Sequence, residues 1–175
     1  MRARVLMVLG VVLAVMVAAA PAQAIKGGVP DEGAHPYVGE LLFYDPTAID
    51  PRFDDPGAWF TCSGTLVSST IVVTAGHCTF GTGLNGEPTE SGSGGNDVWI
   101  SFAEEPDFSI LPPSSDFIPD DNEGRYEAWS AALNASDEWI WATAFPHPEY
   151  DDTAFFTHDL GVLVLSEPVT LSEYG

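Results

Sequence analysis

Along the chain, short β-branched or aromatic runs alternate with polar joints rich in glycine and proline. Six runs have strand character: residues 37–44, 60–68, 71–74, 98–102, 139–145 and 160–165. The second and third read as a hairpin joined at Ser69 and Thr70. In residues 98–102 the apolar side chains Val98, Ile100 and Phe102 share one face, and 139–145 alternates too. Residues 160–165 are continuously apolar, the pattern of a strand buried on both faces. The joints are long. Residues 79–96 are rich in Gly, Ser, Thr and Glu, and residues 104–127 combine four prolines with many acids, so both are expected to be loops. A short helix is expected over residues 128–133. The pattern predicts an all-β domain, an antiparallel barrel or a sandwich.

The first 24 residues do not fit this pattern. Arg2 and Arg4 lead a small-and-apolar run over residues 5–20, Pro21 ends it, and Ala22, Gln23 and Ala24 form a small-x-small cleavage site. This is the signature of a secretory signal peptide, so the expected domains are 1–24 as leader and 25–175 as mature protein. The rival reading, a membrane anchor, asks for about 20 apolar residues, more than the run supplies. The expected location is extracellular, with no membrane association after cleavage.

Charge narrows the partners. Five Lys and Arg face 26 Asp and Glu, a formal net charge of −21. Such a surface repels nucleic acid and anionic lipid. It suits cationic substrates, and a salty or alkaline habitat accounts for it equally well. The only cysteines are Cys62 and Cys78. Export through an oxidising compartment makes a disulfide the expectation, stabilising by about 3 kcal/mol in the chain-entropy model. The alternative, a two-cysteine metal site, lacks a CxxC spacing, and neither a metal nor another cofactor is expected.

The candidate chemistry sits where strands end. After the run Ile71-Val-Val-Thr74 come Ala75-Gly76-His77-Cys78. A histidine at a rigid strand end is a general base for a hydroxyl nucleophile, or merely a strand cap. Further on, Thr157-His-Asp-Leu-Gly-Val-Leu-Val-Leu165 puts Asp159 before an apolar strand, where a carboxylate orients an imidazole or only caps a strand. His158 reads as a neighbour, His147 as a turn residue in His-Pro-Glu-Tyr150, and His35 as surface.

Together, Cys62-Ser-Gly-Thr-Leu66, Thr74-Ala-Gly-His-Cys78 and His158-Asp-Leu-Gly-Val162 resemble the first half of the trypsin-like (chymotrypsin-fold) secreted bacterial serine endopeptidases. The resemblance implies a six-stranded antiparallel β-barrel, the first of two. It further implies a Cys62–Cys78 bridge, His77 as general base and Asp159 orienting it. Ile25-Lys-Gly-Gly28 resembles the family's mature N-terminus, usually Ile-Val-Gly-Gly, with Lys26 departing from it. Ile25 would then be the freed terminal residue.

One part of the family pattern is missing. Beyond Asp159 the only serines are Ser166 and Ser172, and neither lies in the Gly-Asp-Ser-Gly-Gly context of the nucleophile. Ser91-Gly-Ser-Gly-Gly95 imitates it, but precedes Asp159 and reads as a flexible linker, which argues against Ser93 as nucleophile. The serine, the oxyanion hole and the specificity pocket belong to the second barrel. The expectation is therefore half of a serine endopeptidase, inactive alone, acting on protein or peptide substrates once completed by a second barrel. An apolar patch is expected around His77 and Asp159. The alternatives are a secreted non-catalytic binding or decoy module, and a half-enzyme completed by another chain. Asn134-Ala-Ser136 is a glycosylation sequon, and the acid clusters at 120–123 and 151–152 read as solvated loops rather than Ca²⁺ sites.

Overall fold

A computed structural model describes residues 31–86, 96–154 and 156–175. The expectations for the leader, Ile25 and Ser93 lie outside these residues. Six strands form: β1 (Val38–Asp45), β2 (Ala58–Ser68), β3 (Ile71–Thr74), β4 (Asp97–Ser101), β5 (Ile140–Pro146) and β6 (Gly161–Leu165). They pair antiparallel in the order β1-β2-β3-β6-β5-β4, and β1 closes the sheet on β4 through Leu41↔Ile100 and Phe43↔Val98. The domain is thus all-β, and a barrel rather than a sandwich. It is compatible with a chymotrypsin-like barrel.

Side chains alternate along a strand, so each strand offers one set to the barrel interior. Leu41, Phe43, Leu66, Val72, Val98, Ile100, Ala142, Ala144, Leu163 and Leu165 form that interior. Tyr37, Val169 and Leu171 pack against it from outside the strands. A second apolar layer lies on the outer wall. Leu42, Tyr44, Trp99, Tyr126, Leu133 and Trp139 are buried together, with Trp59 and Trp141 against them.

The cover of this outer layer includes helix α1 (Asn122–Asn134). Asp121 caps it by accepting from the Gly124 amide at 3.0 Å, and Glu123 adds negative charge to the first turn, where the helix dipole favours it. Asn122 is fully buried and donates to the Asp55 and Gly57 carbonyls. Asp97 ties helix to barrel, accepting from the Tyr126 hydroxyl and the Trp141 indole, both at 2.9 Å. Burial, with the Asp97 charge beside it, raises the Tyr126 phenol well above its ordinary value. Burial pushes the Tyr44 phenol up to about 12, against the opposing pull of Arg125.

This layer corrects several expectations. Residues 104–127 are not all loop: they hold 3₁₀ turns at Phe108–Ile110 and Ser114–Asp116 and the first half of α1. The helix starts six residues earlier than expected, because the acidic stretch at 120–123 is its cap rather than a solvated loop. β4 is buried on both faces instead of one, since Trp99 points into the outer layer. β6 shows the reverse: Val164 is 39% exposed, so this strand is covered only on its inner face.

One ion pair anchors the segment before β2. Arg52 holds Asp50 through Nε at 2.9 Å and Nη2 at 2.6 Å. These hydrogen bonds hold the Asp50 carboxyl well below its usual range, outweighing the opposing effect of burial. Its folded pKa lies below the unfolded value, so its stabilisation is full above about pH 4 and fades as pH falls toward the folded value. Asp50→Asn should therefore lose less stability than the parent between about pH 5 and pH 3. Urea melts across that range measure this, and parallel profiles would count against it.

Candidate functional site

Strand pairing builds the site. The last residue of β3, Thr74, pairs with the first of β6, Gly161. The chain leaving β3 and the chain arriving at β6 are therefore neighbours, and His77 meets Asp159. His77 sits in a 3₁₀ turn, Gly76–Cys78, in which the Cys78 amide donates to the Ala75 carbonyl and the Thr79 amide to the Gly76 carbonyl. The buried Thr79 hydroxyl adds a bond to the Gly76 carbonyl at 2.8 Å. The Cys62–Cys78 disulfide, with Cα atoms 6.3 Å apart, fastens the turn to β2.

Two glycines allow this close approach. A Cβ at Gly161 would lie 2.5 Å from Thr79 Oγ1 and 2.8 Å from the Ala75 carbonyl. A Cβ at Gly76 would lie 2.9 Å from the Tyr150 ring. Any larger residue at either position pushes the two chain segments apart.

Asp159 holds His77 at three points. Its Oδ1 accepts from the His77 backbone amide at 2.9 Å, and its oxygens lie 3.1 and 3.0 Å from His77 Nδ1. A carboxylate only accepts, so the Nδ1 proton is fixed and Nε2 becomes the basic nitrogen of the neutral ring. Burial pushes the Asp159 pKa up, but the hydrogen bonds from the His77 amide and ring, with the Gly76 amide, outweigh it and hold the carboxyl below its ordinary value. The pair is partly exposed, at 36% for the His77 side chain and 24% for Asp159.

A cleft of about 290 Å³ opens beside His77, lined by Asp45, Thr47, Phe80, Tyr150 and Asp152. Tyr150 is buried edge-on to Phe80 at 5.4 Å. Burial first, then the charge of Asp159, raises its phenol pKa. Sequence reading passed over Tyr150 as a site residue. The signal was its place in the His147 turn, whose backbone docks just ahead of β6, the His147 amide donating to the Leu160 carbonyl at 2.8 Å. Two exposed apolar side chains adjoin the pair: Phe80, which lines the cleft with His77, at 40%, and Leu160, next to Asp159 in sequence, at 46% exposure.

The other histidines are in supporting positions. His147 Nδ1 accepts from the Glu149 amide, and its ring stacks on His158 at 5.0 Å and 10°. Donor atoms of His147, Glu149 and His158 lie within 4.8 Å of one another. His158 Nδ1 lies 3.1 Å from the Glu149 carbonyl and its Nε2 3.6 Å from the Glu149 carboxylate, so Glu149 already engages both nitrogens of that ring. Cys62, His77 and Cys78 also cluster, but both sulfurs are consumed by the disulfide. His35 is exposed and meets Tyr37 edge-on. The Ser166 amide donates to the Trp141 carbonyl, and Ser172 lies exposed in the segment after β6. Among the described residues no helix is long and apolar enough to cross a membrane.

The geometry defines a class of site: a carboxylate-clamped imidazole at the rim of a closed β-barrel. Compared with known protein families and with curated proteins, the chain matches none.

Proposed function

We propose that residues 25–175 are the base-bearing half of a secreted serine endopeptidase resembling the trypsin-like family. The observation that carries this reading is the three-point hold of Asp159 on the amide and Nδ1 of His77. In the completed enzyme His77 Nε2 would take the proton from the attacking serine hydroxyl and return it to the leaving amine. Asp159, kept ionised by its hydrogen bonds, would stabilise the imidazolium formed between those steps. The carboxylates of Asp45 and Asp152 in the adjoining cleft favour a basic side chain on the substrate.

No serine of the 175 residues stands in the Gly-Asp-Ser-Gly-Gly context, so the nucleophile would come from further residues of the same chain or from a second chain. The test is expression of the full natural reading frame with purification of anything that accompanies it. Casein hydrolysis and labelling by a fluorophosphonate probe are expected, and His77→Ala should abolish the hydrolysis. A full-length natural product with neither activity would sink the reading and leave a binding module. Turnover by residues 25–175 alone, lost in His77→Ala, would refute the need for an outside serine.

A further inference from the structure

A second concave site lies on the outer wall of the barrel, among residues the proposed chemistry does not use. A cavity of about 380 Å³ is lined by Trp59, Phe108, Pro112, Trp129, Arg52 and Arg125, among others. Its size falls in the range of small-ligand pockets. The two arginines are the only Lys or Arg among the described residues, and both line this one cavity.

Arg125 is 1% exposed, and its hydrogen bonding is incomplete. Its Nη1 reaches Asp50 only at 3.5 Å, while Arg52 holds the same Asp50 oxygen at 2.6 Å. One carboxylate thus serves two guanidiniums, leaving an excess positive charge. Arg125 Nε and Nη2, and the indole Nε1 of Trp59, are buried without an acceptor among the described residues. Buried donors left in this state are costly and uncommon in native proteins. Burial lowers the Arg125 pKa more than Asp50 restores it. The surroundings are apolar: the guanidinium lies 4.1 Å over the Phe53 ring and 5.6 Å from that of Trp129, and Trp59 and Trp129 are 5.2 Å apart.

We propose that this cavity binds a monocarboxylate with an aromatic or aliphatic body, the carboxylate meeting Arg125 and the body lying between Trp129 and Phe108. A carboxylate accepts two parallel guanidinium bonds, which the unpaired Nε and Nη2 of Arg125 can supply once the ligand displaces the side chains that cover them. The indole N–H of Trp59 adds a third donor. A more highly charged anion would gain little, because the acidic surface repels it on approach.

Isothermal titration calorimetry with phenylacetate tests this, with phenylacetamide as the neutral match. Saturable binding of phenylacetate is expected, at least about tenfold tighter than that of the amide. Arg52→Gln releases Asp50 to neutralise Arg125, so it should weaken phenylacetate far more than phenylacetamide. Arg52 is 57% exposed, which keeps this variant foldable where loss of Arg125 would not be. The tripeptide acetyl-Ala-Ala-Phe, with free and with amidated C-terminus, identifies the source. Preference for the free form assigns the site to peptide C-termini, and indifference beside phenylacetate binding assigns it to small acids; both uphold carboxylate recognition. Equal affinity for phenylacetate and phenylacetamide overturns the proposal. So does the lack of saturable binding by phenylacetate, which would mean that the donors stay covered.

Discussion

On the endopeptidase reading proposed above, Asp159→Asn in the completed protein should lower kcat by about four orders of magnitude, the loss typical of a serine-protease triad left with the wrong imidazole tautomer. The hydrogen bonds explain why so small a change acts so strongly. The carbonyl of the substituted amide would keep the bond to the His77 backbone N–H, now 2.9 Å long. Its NH₂ would then face Nδ1 and donate to it, moving the ring proton to Nε2. The imidazole would stay in place but could no longer accept a proton from a hydroxyl. Activity assays of the full reading frame measure the loss, and ¹⁵N chemical shifts of the His77 ring report the tautomer even in an inactive chain. An unchanged tautomer would refute the explanation whatever the rate.

Trp99→Ala should destabilise the fold by about 3–5 kcal/mol, a large part of the stability of an ordinary domain. Trp99 is 1% exposed and sits on the outer wall between Leu42 and Trp141, its strand partners. Its ring lies 5.8 Å from Trp59 and 6.4 Å from Tyr126, and its indole donates to Asn134 at 2.8 Å. Removing it opens a cavity between barrel and helix that neither rigid partner can fill. Trp99→Phe keeps most of the apolar area and drops the indole bond, for a loss of about 1 kcal/mol from that bond. Urea denaturation of the two variants separates packing from hydrogen bonding. Equal losses would place the energy in the bond to Asn134 instead.

The barrel was legible because its strands carry their own period. Residues 38–45, 71–74 and 140–146 alternate or run apolar in short stretches, and the glycine and proline joints separate them. The helix was not, because its start is written in capping chemistry. Asp121, Asn122 and Glu123 look like a solvated run until Asp121 is seen to bond Gly124 and Asn122 to reach across to Gly57. The two-sided burial of β4 was hidden for the same reason: the cover over Trp99 comes from a segment with no strong apolar period. His77 and Asp159 were legible as types at strand ends. The supports around them, Tyr150, Thr79 and the bare Gly161, act through close approach, which a linear pattern does not encode.

The closing of β1 on β4 bears on how another molecule would engage this one. Every strand of the barrel has a hydrogen-bonded neighbour on both sides. Along most of its length the wall therefore offers no strand edge for another chain to extend, the main exception being Ala58–Ser63 of β2, which pairs with β1 alone. Recruitment of a peptide as an added strand is confined to that short stretch of β2 and closed along the paired remainder. Attachment elsewhere on the wall must run through side chains, which makes it sensitive to point substitution and, on so acidic a surface, to ionic strength.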